Sequence, residues 1–327
     1  MKAMVYTAPL EMKILEVGEP VPGPGEIVIE VAAAGICGSE LEGFASQSPF
    51  RVPPLIMGHE FAGRRLDTGE AVAVNPVVSC HRCDLCLRGF TNLCRTRSIV
   101  GIQRPGGFAQ RVAVPEINCY RLPEGVAFAT AALVEPLANA LHAFRLVQLH
   151  EPCPLKVGVI GAGTLGFLTA LVARARGVPD VEVADLAPAR RQFAHSAGAS
   201  RVAERLEGEF DVIFDTVGLA STRTSSVELL RPGGTAVWIG LHGSDTGVDG
   251  LALIRTEKRV LGTFCYQDLD FRTAVSMIGT FVPAGLVSHM LEEGVEAFGR
   301  LVEGEVSNVK TLLLPNGKPD DGAEVYR

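Results

Sequence analysis

The sequence is poor in aromatic residues and has no excess of basic ones. Aromatic side chains make up 6% of the 327 residues, with one tryptophan, and the formal net charge is −7. A chain without a basic surplus is not expected to bind nucleic acid or an anionic membrane. Apolar residues make up 47% and charged residues 20%, a balance that predicts a packed globular protein rather than a disordered one.

The sequence also lacks the features of a targeting or membrane-spanning segment. The first twelve residues contain no basic stretch followed by an apolar core, so a cytoplasmic protein is expected. The longest run without a charged residue, 157–173, has the minimum length for a membrane helix. Glycines interrupt it repeatedly, and this favours a strand, a turn and a helix instead.

The length predicts two domains, because 327 residues exceed one ordinary hydrophobic core. Short β-prone runs at 4–6, 27–31 and 71–74 characterise the chain up to about residue 135. From Lys156 onward, strands are expected at 157–160, 181–184, 211–214 and 235–239, with helices at 165–176 and 187–197. This alternation is typical of an α/β fold with a doubly wound parallel sheet. The final stretch from Gly317 to Arg327 is expected to be a loose tail.

Four of the eight cysteines fall within 15 residues, at Cys80, Cys83, Cys86 and Cys94. A large chain without a secretion signal does not suit a disulfide framework. Four thiolates at this spacing can enclose one tetrahedral zinc ion and leave no open position, which makes the role structural. Four nearby arginines offset the negative charge of such a cluster: Arg82, Arg88, Arg95 and Arg97. Free cysteines, disulfides and an iron–sulfur cluster are the alternatives.

Three further residues have the chemistry of metal ligands, although each is weak evidence alone. Cys37 lies in Gly-Ile-Cys-Gly-Ser, His59 in Gly-His-Glu, and Glu135 in the otherwise apolar run Leu-Val-Glu-Pro-Leu. A lone cysteine is usually a core residue, and a lone histidine is usually a hydrogen-bonded polar residue. The three gain weight when they are considered together with the four-cysteine segment.

The stretch Gly-His59-Glu60-Phe-Ala-Gly63, followed by Gly69 and Val72, resembles the zinc signature of the zinc-dependent medium-chain dehydrogenase/reductase family. The resemblance spans nearly the whole chain. It implies a GroES-like, mostly-β catalytic domain formed by residues 1–137 and 266–327, with a structural zinc lobe at 80–97. A Rossmann dinucleotide-binding domain is implied for residues 138–265.

The same resemblance implies a catalytic zinc held by Cys37, His59 and an acidic residue. Glu135 stands where alcohol dehydrogenases have a second cysteine, and this is similar to the sorbitol, threonine and glucose dehydrogenase branch. The residue matching Glu60 also binds zinc in that branch. All four ligands together would carry a net charge of −1, which makes a poor Lewis acid. We therefore expect only one of Glu60 and Glu135 to bind firmly at a time, leaving an open position.

The family implies roles for two of the three polar residues that follow the first ligand, and the third departs from the family pattern. Ser39 matches the hydroxyl that takes the proton of the alcohol. Glu40 matches an acidic partner of the zinc-bound histidine, with an exposed loop carboxylate as the alternative. Glu42 departs from the family, because many members have a histidine there that passes the proton outward. A proton relay, a contact with a polyol hydroxyl, and neither role all stay open for Glu42.

A glycine-rich turn follows the strand expected at 157–160. Gly161, Gly163 and Gly166 form a G-x-G-x-x-G pattern, and Asp185 ends the next strand. This pattern binds a dinucleotide pyrophosphate at the start of the following helix, here Thr164 and Leu165. A carboxylate at Asp185 would bind the adenosine ribose and repel a 2′-phosphate, so NAD is favoured. The cations Arg190 and Arg191 keep NADP open.

The predicted function is hydride transfer between a secondary alcohol, such as a polyol or sugar-like compound, and NAD. An amino-alcohol dehydrogenase resembling threonine dehydrogenase is the alternative within the family, and a non-catalytic zinc- and nucleotide-binding protein is the alternative outside it. Two zinc ions per chain and a homodimer or homotetramer are expected. The connection at residues 64–70 is shorter than in the family by roughly ten residues. No role is assigned to Cys119, Cys153, Cys265, His142, His289 or Lys310.

Overall fold

The computed structural model describes residues 1–148, 156–243, 245–281, 283–305 and 307–317. The chain forms two compact units. Unit 1 comprises Met1–Glu135, Gln267–Glu305 and Lys310–Arg327, and unit 2 comprises Pro136–Tyr266 and Val306–Val309. Cys153 and almost all of the expected tail after Gly317 lie outside the described residues.

The first half of the chain contains ten strands and four helices within residues 1–148. The strands are β1 (Lys2–Ala8), β2 (Glu11–Glu16), β3 (Glu26–Gly35), β4 (Leu55–Ile56), β5 (Glu60–Arg65), β6 (Ala71–Val74), β7 (Val77–Val78), β8 (Ser98–Ile99), β9 (Arg111–Pro115) and β10 (Cys119–Arg121). The helices are α1 (Gly38–Ala45), α2 (Asp84–Leu87), α3 (Phe128–Ala131) and α4 (Val134–Gln148).

The second half contains the remaining strands and helices of the described ranges. The strands are β11 (Lys156–Ile160), β12 (Asp180–Ala184), β13 (Arg201–Ala203), β14 (Phe210–Asp215), β15 (Leu230–Trp238), β16 (Arg259–Gly262), β17 (Leu286–Met290) and β18 (Lys310–Leu314). The helices are α5 (Thr164–Ala175), α6 (Pro188–Ser196), α7 (Ala220–Glu228), α8 (Gly250–Arg255), α9 (Asp268–Met277) and α10 (Gly294–Val302).

Unit 1 is built around the long strand β3. This strand pairs antiparallel with β5, β9 and β18, while β17 lies parallel to β18 at one end of the same sheet. Alternate side chains of β3, including Ile29 and Val31, are fully buried against Phe61 and Phe108 in the main core. Burying one such side chain contributes about 1.5–3 kcal/mol. The sheet therefore provides a rigid base for the loops that begin and end at β3, β5 and β18.

Unit 2 is a parallel sheet of six strands in the order β13-β12-β11-β14-β15-β16. If these six strands are numbered 1 to 6 in chain order, so that β11 is strand 1, their order in the sheet is 3-2-1-4-5-6. This is the doubly wound order of dinucleotide-binding folds. The strands expected at 157–160, 181–184 and 211–214 are confirmed, as is the one at 235–239 except for its last residue. Both expected helices are also confirmed, with ends that differ by one residue. Strands β13 and β16 were not expected.

None of the helices within the described ranges has both the length and the apolar character needed to cross a membrane. The uncharged run at 157–173 forms strand β11, a glycine-rich turn and most of helix α5. Its glycines therefore end a strand and start a helix, as the sequence predicts.

Candidate active site and metal centres

Cys37 lies in the short connection between β3 and α1, and the carboxylate of Glu40 fixes its position. Glu40 is fully buried and accepts the backbone N–H of Cys37 at 3.0 Å. Its other oxygen accepts the backbone N–H of Gly58 at 2.9 Å and contacts Nδ1 of His59 at 2.8 Å. One side chain thus joins the loop carrying Cys37 to the loop carrying His59. The expected contact between Glu40 and this histidine is confirmed.

The turn before β5 requires a glycine at position 58. Gly58 has φ +98°, and a Cβ atom there would approach the backbone nitrogen of Phe108 at 2.7 Å. Any other residue would meet both backbone strain and a steric clash. The turn directs His59 and Glu60 into the same space as Cys37.

Cys37, His59 and Glu60 form a group whose potential ligand atoms all lie within 4.8 Å of one another. A thiolate, an imidazole and a carboxylate are typical zinc ligands, and three protein ligands leave the open position of a catalytic site. Glu135 is buried in the first turn of α4, but it is outside this group of mutually close ligand atoms. The structure therefore brings together three of the four residues expected at this zinc.

The surroundings of His59 are strongly negative. Burial alone would lower the pKa of His59, but the Glu40 carboxylate and the Cys37 thiol group raise it well above its usual value. Because Nδ1 faces Glu40, the other ring nitrogen is the one available to a metal. A divalent cation in this space would take the place that a proton on the imidazole otherwise fills.

Lys310 is the residue that compensates Glu60, and no role was expected for it. Its ammonium group donates to the Glu60 carboxylate and to the backbone oxygen of Ile36, the latter at 3.0 Å. Both side chains are 2% exposed. Burial acts to lower the pKa of Lys310, but Glu60 and Cys37 hold it above its usual value. The charge of −1 calculated for a zinc ion with all four expected ligands becomes zero when Lys310 is included.

Ser39 lies between Cys37 and an arginine. Its hydroxyl donates to the Cys37 sulfur at 3.3 Å and accepts a hydrogen bond from Nη2 of Arg51 at 3.1 Å. Glu42 is half-buried on the same helix α1, and no hydrogen bond of its carboxylate occurs within the described residues. A serine hydroxyl can donate one hydrogen bond and accept two, so Ser39 retains the capacity to accept one more.

The four-cysteine segment forms a second group, with all four sulfur atoms within 4.8 Å of one another. The Sγ atoms of Cys80 and Cys86 are 4.0 Å apart, about twice the length of a disulfide bond. Backbone N–H groups, including that of Cys83 at 3.3 Å, lower the pKa of Cys80 to about 6, while burial raises the pKa of Cys86 to about 12. The arrangement fits a tetrahedral zinc site, with one of the four nearby arginines, Arg95, paired with Asp84.

The glycine-rich turn has the geometry of a phosphate-binding loop. Gly161 adopts φ +93°, and a Cβ on Gly166 would lie 1.8 Å from the backbone oxygen of Gly161. At Gly163 the nearest atom belongs to Arg190, 3.8 Å from the Cβ position, so the backbone there is open to a ligand. Thr164 begins α5, with its hydroxyl bonded to the backbone oxygen of Val309 at 2.6 Å. The backbone N–H groups at the start of α5 are the phosphate donors of such a loop.

Asp185 follows the end of β12 and is held by backbone donors. Its carboxylate oxygens accept the N–H of Ala162 at 2.7 Å and the N–H of Ala187 at 2.8 Å. Each oxygen keeps a lone pair for a ribose hydroxyl. Arg191 donates to the backbone oxygens of Asp185 and Leu186, whereas Nε of Arg190 is buried without a partner among the described residues. Arg190 is therefore the cation available to a ligand near Gly163.

Comparisons with known proteins agree with this geometry. Residues 23–124 match the model of the alcohol dehydrogenase GroES-like domain, and residues 164–280 match that of the zinc-binding dehydrogenase. The chain is 30% identical over 294 residues to the L-galactonate-5-dehydrogenase of Escherichia coli, covering 83% of this chain and 85% of that protein. It is 30% identical over 324 residues to the D-xylulose reductase A of Aspergillus oryzae, and the match covers 88% of this chain and 89% of that protein.

Among solved structures, a zinc-binding dehydrogenase from Sinorhizobium meliloti bound to NADP superposes with a TM-score of 0.88 at 28% identity, covering 96% of this chain and 99% of that one. Fold and site together define a zinc-dependent oxidoreductase that uses a nicotinamide cofactor. The chain belongs to the zinc-dependent medium-chain alcohol dehydrogenase family. The family and the fold class expected from the sequence are confirmed.

Two residues of the site were missed by the sequence interpretation. Lys310 is the only charged residue in the apolar run Val-Lys-Thr-Leu-Leu-Leu, and that isolation was a usable signal. Arg51 stands alone between Phe50 and Val52, where nothing in the sequence indicates that its side chain reaches Ser39.

Proposed function

We propose that this protein transfers a hydride between a secondary alcohol, of the polyol or sugar-like class, and NAD. The observation that carries the proposal is the gathering of Cys37, His59 and Glu60 within 4.8 Å, beside the Ser39 hydroxyl. The relatives named for reactions of L-galactonate and D-xylulose support a polyhydroxylated substrate. The carboxylate of Asp185 favours NAD as the cofactor. NADP is the alternative, which the cation Arg190 and the NADP-bound structure from Sinorhizobium meliloti support.

In this proposal Cys37, His59 and a carboxylate hold the catalytic zinc, with Glu60 and Glu135 as the two candidates for the carboxylate. A zinc ion at such a site supplies Lewis acidity that lowers the pKa of an alcohol. Glu40 keeps the imidazole of His59 oriented through Nδ1. Lys310 neutralises Glu60, so this carboxylate can lie beside the thiolate without an unpaired buried charge.

In the oxidation direction Ser39 would accept the proton of the alcohol and release its own hydroxyl proton at the same time, so that one proton in total passes onward. One of its lone pairs is occupied by the N–H of Arg51, and its second lone pair is the acceptor for the substrate hydroxyl. The proton then leaves toward solvent, and Glu42 on the next turn of α1 is the candidate to relay it or to contact a substrate hydroxyl. The cofactor carries the hydride, and the residues of the chain orient and polarise the reactants.

Further assignments belong to the same proposal. Unit 1 is the catalytic domain and unit 2 the dinucleotide-binding domain, with boundaries near residues 137 and 266. The nucleotide is bound by Gly161, Gly163, Thr164, Leu165, Gly166, Asp185 and Arg190. A second, structural zinc is held by Cys80, Cys83, Cys86 and Cys94, which gives two zinc ions per chain. The protein acts in the cytoplasm as a homodimer or homotetramer.

The test combines metal content with a cofactor-coupled substrate screen. We expect two zinc ions per chain, and reduction of NAD by members of a panel of alditols, sugar acids, 2,3-butanediol and threonine. His59→Ala should lose one zinc ion and all turnover while keeping the circular dichroism of the wild type. The exposed His195 on α6 offers the matched control, because His195→Ala should change neither.

Three outcomes would contradict the proposal in different ways. Retention of both zinc ions and of turnover by His59→Ala would remove the proposed catalytic site. A clear preference for threonine would favour an amino-alcohol dehydrogenase. Binding of zinc and NAD without hydride transfer to any member of the panel would favour a non-catalytic protein.

A further inference from the structure

Arg51 is a buried cation whose guanidinium makes few hydrogen bonds with the described residues. The residue is 7% exposed, and within the described residues its guanidinium makes one hydrogen bond, from Nη2 to the Ser39 hydroxyl at 3.1 Å. Its Nε is buried without a partner among the described residues. The charge of Arg51 interacts with the buried Glu40 carboxylate, but the two side chains form no direct ion pair. A guanidinium has five N–H donors and a permanent charge, so burial in this state costs free energy unless a ligand completes it.

The direction of Arg51 is fixed by its neighbours on both sides. Phe50 and Val52 are largely exposed and line an apolar groove on the surface of unit 1, whereas the side chain of Arg51 turns inward over helix α1. Gly43 makes room for it, because a Cβ atom there would lie 2.8 Å from Nη1 and 3.0 Å from Cδ of Arg51. The guanidinium is therefore seated against α1 beside Ser39, in the immediate surroundings of Cys37.

The position of the Arg51 guanidinium beside Ser39 suits recognition of the substrate. Ser39 Oγ is 3.3 Å from the Cys37 sulfur and 3.1 Å from Nη2 of Arg51. A substrate hydroxyl bonded to Ser39 at about 2.7 Å would therefore lie within about 6 Å of Nη2. A second group of the same small molecule can reach the guanidinium over that distance. The group that best matches a planar fork of N–H donors is a carboxylate.

We propose that Arg51 binds a carboxylate of the substrate, so that the enzyme acts on a polyhydroxy acid of the aldonate class in preference to the neutral alditol. This inference rests on the proposed dehydrogenase function and specifies its substrate class. Arg51 is then a specificity-determining residue, while its bond to Ser39 links substrate recognition to the group that takes the proton. A neutral polyol would satisfy some of the N–H donors but would form no ion pair with the guanidinium.

The first experiment compares matched substrates that differ only at carbon 1, which is a carboxylate in the acid and a hydroxymethyl group in the alditol. D-Gluconate and D-glucitol share the configuration of carbons 2 to 5, as do D-galactonate and galactitol. We expect the wild type to prefer the acid of a pair by at least tenfold in kcat/KM. Since a hydrogen bond to a charged group contributes about 1.5–3 kcal/mol, Arg51→Met should lower the acid-to-alditol ratio roughly 10- to 150-fold, mainly through KM. Arg51→Lys should restore part of the ratio.

A second variant displaces the guanidinium without removing it. Gly43→Ala adds a methyl group that meets Nη1 and Cδ of Arg51, in a helix where alanine is otherwise favourable. We expect the same loss of acid preference, to a smaller extent. Arg300→Met is the control, because Arg300 lies exposed on α10 and pairs with Glu296. A purely structural role of Arg51 would lower kcat/KM for acid and alditol together and leave their ratio unchanged, which would overturn the inference.

Direct binding separates this inference from the proposed function. Titration calorimetry of D-gluconate into the zinc-loaded enzyme with NADH should show binding that is weakened at least tenfold in Arg51→Met and unchanged in Arg300→Met. Such binding without any turnover would refute the dehydrogenase function and leave the carboxylate site standing. The opposite result is that alditols are turned over at least as well as aldonates and that gluconate binding does not depend on Arg51. It would refute the carboxylate site but would still support the dehydrogenase function.

Discussion

The buried pair of Lys310 and Glu60 gives the sharpest stability prediction. Lys310→Met replaces the ammonium group by an apolar side chain of similar length. The Glu60 carboxylate, 2% exposed, then has no other cation within ion-pair distance in the described part of the chain, and the backbone oxygen of Ile36 loses the Lys310 donor. Removing one partner of a buried ion pair costs about 3–5 kcal/mol in the free energy of unfolding, because a buried charge is left uncompensated.

The magnitude can be checked with a double-mutant cycle in the metal-free protein. Glu60→Gln removes the opposite charge, and the double variant removes both, so the double variant should be less destabilised than Lys310→Met alone. Zinc provides the second comparison, because a cation beside Cys37 and His59 gives Glu60 a new partner. We therefore expect zinc to raise the stability of Lys310→Met more than that of the wild type.

The assay is urea unfolding followed by circular dichroism, with and without saturating zinc. The exposed ion pair of Lys2 and Glu292, at 2.7 Å, provides the control, and Lys2→Met should leave the unfolding midpoint unchanged. If Lys310→Met unfolds within 1 kcal/mol of the wild type in the absence of zinc, the pair does not hold a buried carboxylate. The proposed charge balance of the site would then be wrong.

Three further predictions concern other parts of the molecule. Cys80→Ser should lose one zinc ion per chain and lower the melting temperature, whereas an unchanged zinc content by atomic absorption would refute the structural site. Glu42→Gln should shift the pH–rate profile if this residue relays the proton, or raise KM for polyols if it contacts substrate; an unchanged profile and KM would exclude both roles. Gly166→Ala places a methyl group 1.8 Å from the backbone oxygen of Gly161, so it should destabilise unit 2 and abolish NAD binding measured by calorimetry. Normal binding by that variant would show that the turn can rearrange.

Local patterns in the sequence predicted the four central strands of unit 2 and two of its helices, because each pattern depends on residues that are neighbours in the sequence. The glycine-rich turn between β11 and α5 and the four cysteines around α2 are contiguous motifs whose geometry depends on a few backbone angles. Glu40 was expected only from the family resemblance, and the structure gives the physical reason for it. The residue lies three positions after Cys37, close enough to cap that turn and still reach His59 across the loop.

The residues that the sequence did not reveal depend on tertiary placement. Arg51 reaches Ser39 only because the chain reverses between α1 and β4 and because Gly43 has no side chain in the way. Position 51 alone is equally consistent with a solvated arginine, the commonest state of that residue type. Glu135 shows the opposite case: it lies in an apolar run of the sequence and is buried, but burial does not determine which ligand group it joins.

Lys310 shows that the site depends on the tertiary structure of unit 1 and not on local sequence motifs alone. Its contact with Glu60 spans 250 residues of the sequence and is made because β18 pairs antiparallel with the end of β3, with Leu312 opposite Gly35. The same strand end leads into Cys37, so the pairing that completes the sheet also brings the neutralising cation to the ligands. The Lys310 ammonium group offsets part of the negative charge that a thiolate and two carboxylates bring into this buried site. The metal chemistry expected from residues 37–60 therefore requires a strand whose sequence contains no recognisable metal motif.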